Sequence, residues 1–228
     1  MSPAITTSPT IAWDELVDGL SRVEWHEPGT ADQARVRGLL DRVYADPAVI
    51  TRRTQEILAS DKLFEELRSF HSYPRILMEK LVLYVSPEDN FRIRLHRFNS
   101  RKNTGGAKEK VHSHKWPSYS LILKGAYKEE RFTIDELDVE SGRAVLSAKD
   151  VVMRRPGDID FKPVRQPHRV SVDSEREPCF TLFIRGGSVE PHGMMFDLDE
   201  NRIVPWLSAT SSLRTGLRDL GELRSDFY

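Results

Sequence analysis

His112, His114 and His168 are the residues of this sequence whose type and spacing could best do chemistry. His112 and His114 are one residue apart in a run that reads as a β-strand, so both imidazoles leave the same face, about 6.5–7 Å apart along the chain. Each neutral ring offers a nitrogen lone pair. Two such rings can bite on one metal ion if a third ligand comes from a strand adjacent in space. His168 is the natural third, because it follows the turn-forming Arg154-Arg155-Pro156-Gly157-Asp158 and opens another apolar run. On a solvated strand the same pair would be two ordinary polar residues, so the elements around it decide between the readings.

Other side chains could serve such a centre. Arg92, Arg94 and His96 share one face of the run Phe91–Phe98; turned inward they would clamp a substrate carboxylate or phosphate, and turned outward they would be a solvated face. Arg185 lies in a run otherwise apolar at Phe180, Leu182 and Ile184, which makes it a candidate anion partner among the catalytic groups. Tyr119 and Tyr127 could place a phenol near the reacting atoms as proton donors, or be core residues with one satisfied hydroxyl. Trp116 is placed to shield His114, and His192 sits in a Glu-Pro-His-Gly loop.

The elements that must position these residues fall into two halves. Before Pro74 apolar residues recur three and four apart, as in Trp13, Leu16, Val17, Leu20 and Val23, then Val36, Leu39, Leu40 and Val43, then Leu63, Phe64, Leu67 and Phe70. Thr30 and Gln33 are spaced as a capping box, Pro47 closes the second run, and Ser60 is a cap for the third. After Pro74 short β-rich runs alternate with Gly, Asn, Pro and Asp: Leu81–Val85, Phe91–Phe98, Lys110–His114, Tyr119–Phe132, Val151–Arg154, Asp160–Pro163, His168–Val172 and Phe180–Arg185. Ser211–Tyr228 carries Leu213, Leu217 and Leu220 at helical spacing. The expected division is a helical extension over 1–78, a barrel over 79–210 and a helical tail over 211–228.

Composition excludes some functions. With 34 Lys and Arg against 35 Asp and Glu among 228 residues, a net charge of −1 gives no field to collect nucleic acid or an anionic membrane. One cysteine, Cys179, cannot form an internal disulfide; it reads as a small buried apolar residue, and a reducing, cytoplasmic setting is expected. No apolar run approaches the roughly 20 residues of a membrane span.

The frame of glycines and prolines around the histidines resembles the two signatures of the cupin superfamily. Gly106, His112, His114 and Gly125 fall at the spacing of the first, with Ser118 where it has glutamate; Gly157, Pro163 and His168 fit the second, with Arg165 in place of its second glycine. The resemblance covers about Leu81–Trp206 and implies a mainly β fold, the double-stranded β-barrel or jelly roll, with the helical N-terminal flank and short C-terminal helix added to it. Ser118 cannot supply the usual anionic ligand, so the implied ligand set is three neutral histidines. In this the chain is similar to the thiol dioxygenases, cysteine dioxygenase and its relatives, as it is in Trp116–Arg131, His168-Arg169-Val170, Glu177-Pro178 and Phe196-Asp197. Tyr119 stands where some of that family carry a crosslinked cysteine, Arg185 stands at a family tyrosine, and no arginine matches its substrate-carboxylate grip. The stretch Thr181–Trp206 also looks like bacterial and phage single-domain cupins of unassigned activity.

The resemblance implies an Fe(II)-dependent oxygenase of a small chelating substrate, thiol- or amino-acid-like, that uses dioxygen, and a homodimer formed through the sheets; the residues themselves put forward Arg94, His96 and Tyr127 at the substrate. Zn(II), Ni(II) or Mn(II) in the same site would instead suit a redox-neutral isomerase, epimerase or lyase. A non-catalytic ligand-binding barrel is the alternative outside enzymes.

Overall fold

Apolar residues at helical spacing build the first third of the chain in the computed structural model, which describes residues 10–70 and 77–204. The expected tail helix Ser211–Tyr228 lies outside those residues. Helix α1 (Trp13–Ser21) buries Leu16 and Leu20, and α2 (Thr30–Ala45) buries Val36, Leu40 and Val43. The start of α2 corrects the expected capping box. Thr30 is already helical and Gly29 is the cap, its N–H donating to Asp32 Oδ2 at 3.3 Å, while the Gln33 side chain donates to the Pro28 carbonyl.

Pro47 ends one helix by starting another, α3 (Ala48–Ala59), which apolar spacing does not announce. Its buried Val49, Ile50 and Ile57 leave a turn between them without an apolar residue. Arg53 fills that gap with its guanidinium 5.0 Å from the Trp13 ring centre and Nε donating to the Leu83 carbonyl at 3.1 Å. Ser60 caps α4 (Asp61–Arg68) as expected, accepting from the Leu63 N–H.

The rest is mainly β, two antiparallel sheets facing each other as a double-stranded barrel, the jelly-roll arrangement expected. The first sheet runs in the order β1 (Met78–Val85), β2 (Phe91–Phe98), β9 (Cys179–Gly186), β4 (Ser118–Lys124), β7 (Ile159–Lys162). The second runs β10 (Met195–Asp197), β11 (Arg202–Val204), β6 (Arg143–Arg154), β5 (Tyr127–Asp138), β8 (His168–Ser171), β3 (Val111–His112), and β3 pairs back onto β10. Side chains alternate across the first sheet. Phe91, Ile93, Tyr119, Leu121, Leu182 and Ile184 face outward into one core shared with Leu16, Leu20, Val36 and Leu40 of the helices, so the helical flank packs on the barrel wall. The other face of the same strands lines the barrel interior.

Two strand readings are corrected. Tyr119–Phe132 is not one strand but β4 and β5, parted at Gly125, whose φ of 74° suits glycine and whose missing Cβ would stand 2.4 Å from the Pro178 carbonyl oxygen. Lys110–His114 shrinks to the two residues of β3, with His114 just beyond it. β10 and β11, three residues each, are too short for alternation to reveal them.

Arg165, standing where the second signature has glycine, has φ 66°. The left-handed region costs a residue with a Cβ roughly 1–2 kcal/mol. Arg165→Gly is therefore expected to raise stability by about 1 kcal/mol, part of the relief being offset by the freedom glycine adds to the unfolded chain. The exposed Arg165–Glu190 pair at 2.8 Å contributes little against this. A higher urea midpoint at unchanged slope checks it; a lower one would mean that the pair outweighs the strain.

Candidate metal centre

His112 and His168 are direct partners across the β3–β8 ladder, and His114 swings in from the second residue after β3. The three rings converge, and their ligating nitrogens all lie within 4.8 Å of one another, with Nε2 of His112 and Nε2 of His114 3.2 Å apart. Two nitrogens about 2.1 Å from one ion stand at most about 4.2 Å apart, so closing by about half an ångström brings all three into reach.

Backbone carbonyls set the tautomers. Nδ1–H of His112 donates to the Lys110 carbonyl at 3.1 Å and Nδ1–H of His168 to the Gln166 carbonyl at 3.2 Å, which leaves each Nε2 its lone pair. Ser118 is not a ligand but a partner of one, its Oγ 3.4 Å from His114 Nδ1. Burial pushes the pKa of His114 and His168 well below the usual imidazole value, and the neighbouring histidines and Lys162 add to the effect. Converging imidazole nitrogens, two of them on buried residues, are the donor set that a borderline transition-metal ion requires.

The triad lines a cavity of about 40 Å³ together with Arg94, His96, Trp116, Tyr127, Lys162 and Phe183. The structure thus brings Arg94, His96 and Tyr127 to the histidines. Arg94 is the notable cation. Among the described residues no carboxylate pairs with it, its buried Nε has no hydrogen-bond partner, and its guanidinium lies 6.0 Å from the Trp116 ring centre. Burial, with Arg185 and Arg92 nearby, lowers its pKa to about 9, only partly countered by Asp89, so it still carries its charge at neutral pH. His96 stacks on Phe183 at 4.5 Å with a buried Nε2 that has no partner, and burial keeps it neutral. Trp116 covers His114 at a ring separation of 4.2 Å. Burial raises the pKa of Tyr127, which keeps its phenol protonated.

Tyr119 and Arg185 are not brought there. Tyr119 faces outward between Trp25 and Phe161, its phenol buried without a partner and pushed up to about 12 by burial. Arg185 is buried and engaged, donating to both Asp89 carboxylate oxygens at 2.8 and 2.7 Å and to the Gly186 carbonyl. His192 lines a separate cavity of about 260 Å³ that His114 and Trp116 also border. Cys179 is buried, as expected.

Two participants escape sequence reasoning. Lys162 lies beside Ser118 across the β4–β7 ladder and belongs to a buried cluster in which it and Arg154 both pair with Glu129 and Asp160. Burial opposes the Lys162 charge, but Tyr127, Glu129 and Asp160 outweigh that and hold its pKa above the ordinary lysine value. Glu109 also lines the cavity, with Oε1 3.9 Å from His112 Nε2. Strand parity would place residue 109 opposite to 112. Glu109 precedes β3, however, where that alternation does not apply.

No protein-family model and no curated protein matches the sequence. Among solved structures, the DMSP lyase DddQ from Ruegeria pomeroyi DSS-3 is similar at 15% identity over 58% of this chain and 64% of that one, with a TM-score of 0.37. The Fe(II) form of HppE is similar at 8% identity over 50% and 54%, with a TM-score of 0.38. Vicilin from hazelnut (Corylus avellana) is similar at 14% identity over 56% and 33%, also with a TM-score of 0.38. The chain spans less than two thirds of the length of each, and likeness of this degree says nothing of chemistry. No described helix is long and apolar enough to cross a membrane.

Proposed function

We propose that this chain is a metal-dependent oxidoreductase, a mononuclear non-haem iron oxygenase acting on a small anionic, chelating substrate of thiol or amino-acid type, with dioxygen as the second substrate. The observation that carries the reading is the pairing, in one cavity, of three converging imidazoles with the guanidinium of Arg94, which no carboxylate among the described residues pairs. His112, His114 and His168 would hold Fe(II), which when bound supplies the redox chemistry that protein side chains lack and keeps positions open for small ligands.

The protein's own contribution is binding and orientation. Arg94 fixes an anionic group of the substrate, Trp116 and Phe183 exclude water around His114, and His96 and Tyr127 offer polar atoms to the substrate. Free space of about 40 Å³ admits a few water-sized groups, which restricts the reacting part of the substrate to a small head.

The deciding measurement is metal content after purification without chelator, followed by oxygen uptake with thiols and amino acids. Fe(II)-dependent uptake is expected; none with any such compound in iron-loaded protein would remove the oxygenase. Full turnover with Zn(II) and without oxygen would assign a redox-neutral isomerase or lyase to the same site.

Arg94→Met is expected to separate binding from folding. Losing a charge-assisted contact of about 1.5–3 kcal/mol should raise KM for the anionic substrate by roughly 10–150-fold. Removing a half-buried cation whose Nε has no partner should at the same time leave the melting temperature unchanged or higher. An unchanged KM would take Arg94 out of substrate binding.

A further inference from the structure

Glu109 is a carboxylate held in place with one oxygen left over. Its Oε2 accepts the N–H of Val170 at 3.0 Å, and Oε1 stands 3.9 Å from Nε2 of His112. Val170 lies two residues beyond His168 on β8, and His168 is the ladder partner of His112, so the strand pair that sets two of the imidazoles also sets this carboxylate. Among the described residues no lysine or arginine is in ion-pair range of Glu109, although its side chain is only 20% exposed. A largely buried carboxylate that shares a cavity with three converging imidazoles, and has no lysine or arginine beside it, is placed to meet the charge of a divalent cation.

Position gives the carboxylate a second property. Glu109 lines both the inner cavity and a larger outer one of about 320 Å³, together with Met78, Phe98 and Val170. It therefore stands at the boundary between the two cavities.

We infer that Glu109 is a fourth, exchangeable ligand of the centre: one oxygen on the metal, the other on the Val170 N–H, giving way to an anionic ligand arriving from the outer cavity. This rests on the metal-binding reading of the triad. Ser118, at the usual place of the glutamate, only supports His114, and Glu109 brings the negative charge from the other side of the histidine pair.

Co(II) is the probe, added to the full chain as wild type, Glu109→Gln and Glu109→Ala. Glutamine can keep the Val170 hydrogen bond, and melting curves of the metal-free proteins check that both variants fold. Glu109→Gln is expected to weaken Co(II) binding about 10–100-fold, the scale of losing a partner at a metal site, and to alter the visible d–d bands. Azide should bind the Co(II) form of Glu109→Ala more tightly than that of wild type, because no carboxylate competes. If wild type binds Co(II) and Glu109→Gln matches it in affinity and spectrum, this inference falls and the triad stands. If wild type binds no Co(II), the centre falls and the inference with it.

Discussion

Protein carrying Glu129→Gln is expected to unfold at a far lower urea concentration than wild type, a loss of about 3–5 kcal/mol, the usual cost of removing one partner from a buried ion pair. Glu129 is 0% exposed and stands between Lys162 and Arg154, with 2.9 Å from Lys162 Nζ to Oε1 and 3.0 Å from the Arg154 guanidinium to Oε2. Glutamine keeps the shape and deletes the charge, which leaves two buried cations to share Asp160. The sign of the double variant is the sharper test. Adding Lys162→Met leaves the neutral Arg154–Asp160 pair, so more than half of the lost stability should return. If the double variant is as unstable as the sum of the single ones, the cluster is not held by charge balance.

For His168→Ala the expected loss is of the metal. Removing even an outer partner of a metal ligand costs about 10–100-fold in affinity, so removing one of three ligands should weaken binding by at least about 100-fold. The oxygen uptake that depends on the metal goes with it. His168 is buried, and its Nδ1–H bond ends on a backbone carbonyl within its own turn. The metal-free fold should therefore survive, since the lost packing is offset by no longer burying a polar ring among two others. Metal analysis beside far-UV dichroism separates the two effects; a variant that retains stoichiometric metal would overturn the centre.

The triad was legible in the sequence because its constraints are local. An HxH spacing and a histidine after a Pro-Gly turn survive without knowledge of the fold, and the period-two pattern of β2 already sorts Arg94 and His96 from Phe91 and Ile93. Which face is inward cannot be read from that pattern, because both faces of β2 are covered, one by helices and one by the opposite sheet. The same ambiguity explains Tyr119, whose neighbour Ser120 lines the cavity while its own ring joins the apolar core outside. Arg185 misleads for a different reason: its partner Asp89 lies far off in sequence, in a turn with φ 57°. Helix α3 hid because an arginine takes an apolar place in its stripe, and Glu109 because its partner Val170 is remote in the chain.

The two walls of the cavity differ in what lies behind them. Arg94 and His96 belong to a sheet whose outer face is packed under helices, whereas His112 and His168 belong to one whose long strands β5 and β6 alternate to water. The histidine wall also rests on short ladders, β3 having one partner residue on β8 and two on β10. Amide protons of β2 and β9 should thus exchange only on global unfolding, while those of β3 and β8 exchange through local opening, which a bound ion suppresses by mass action. Occupancy of the centre would then be readable as protection of a few backbone amides in β3 and β8, without any turnover being measured.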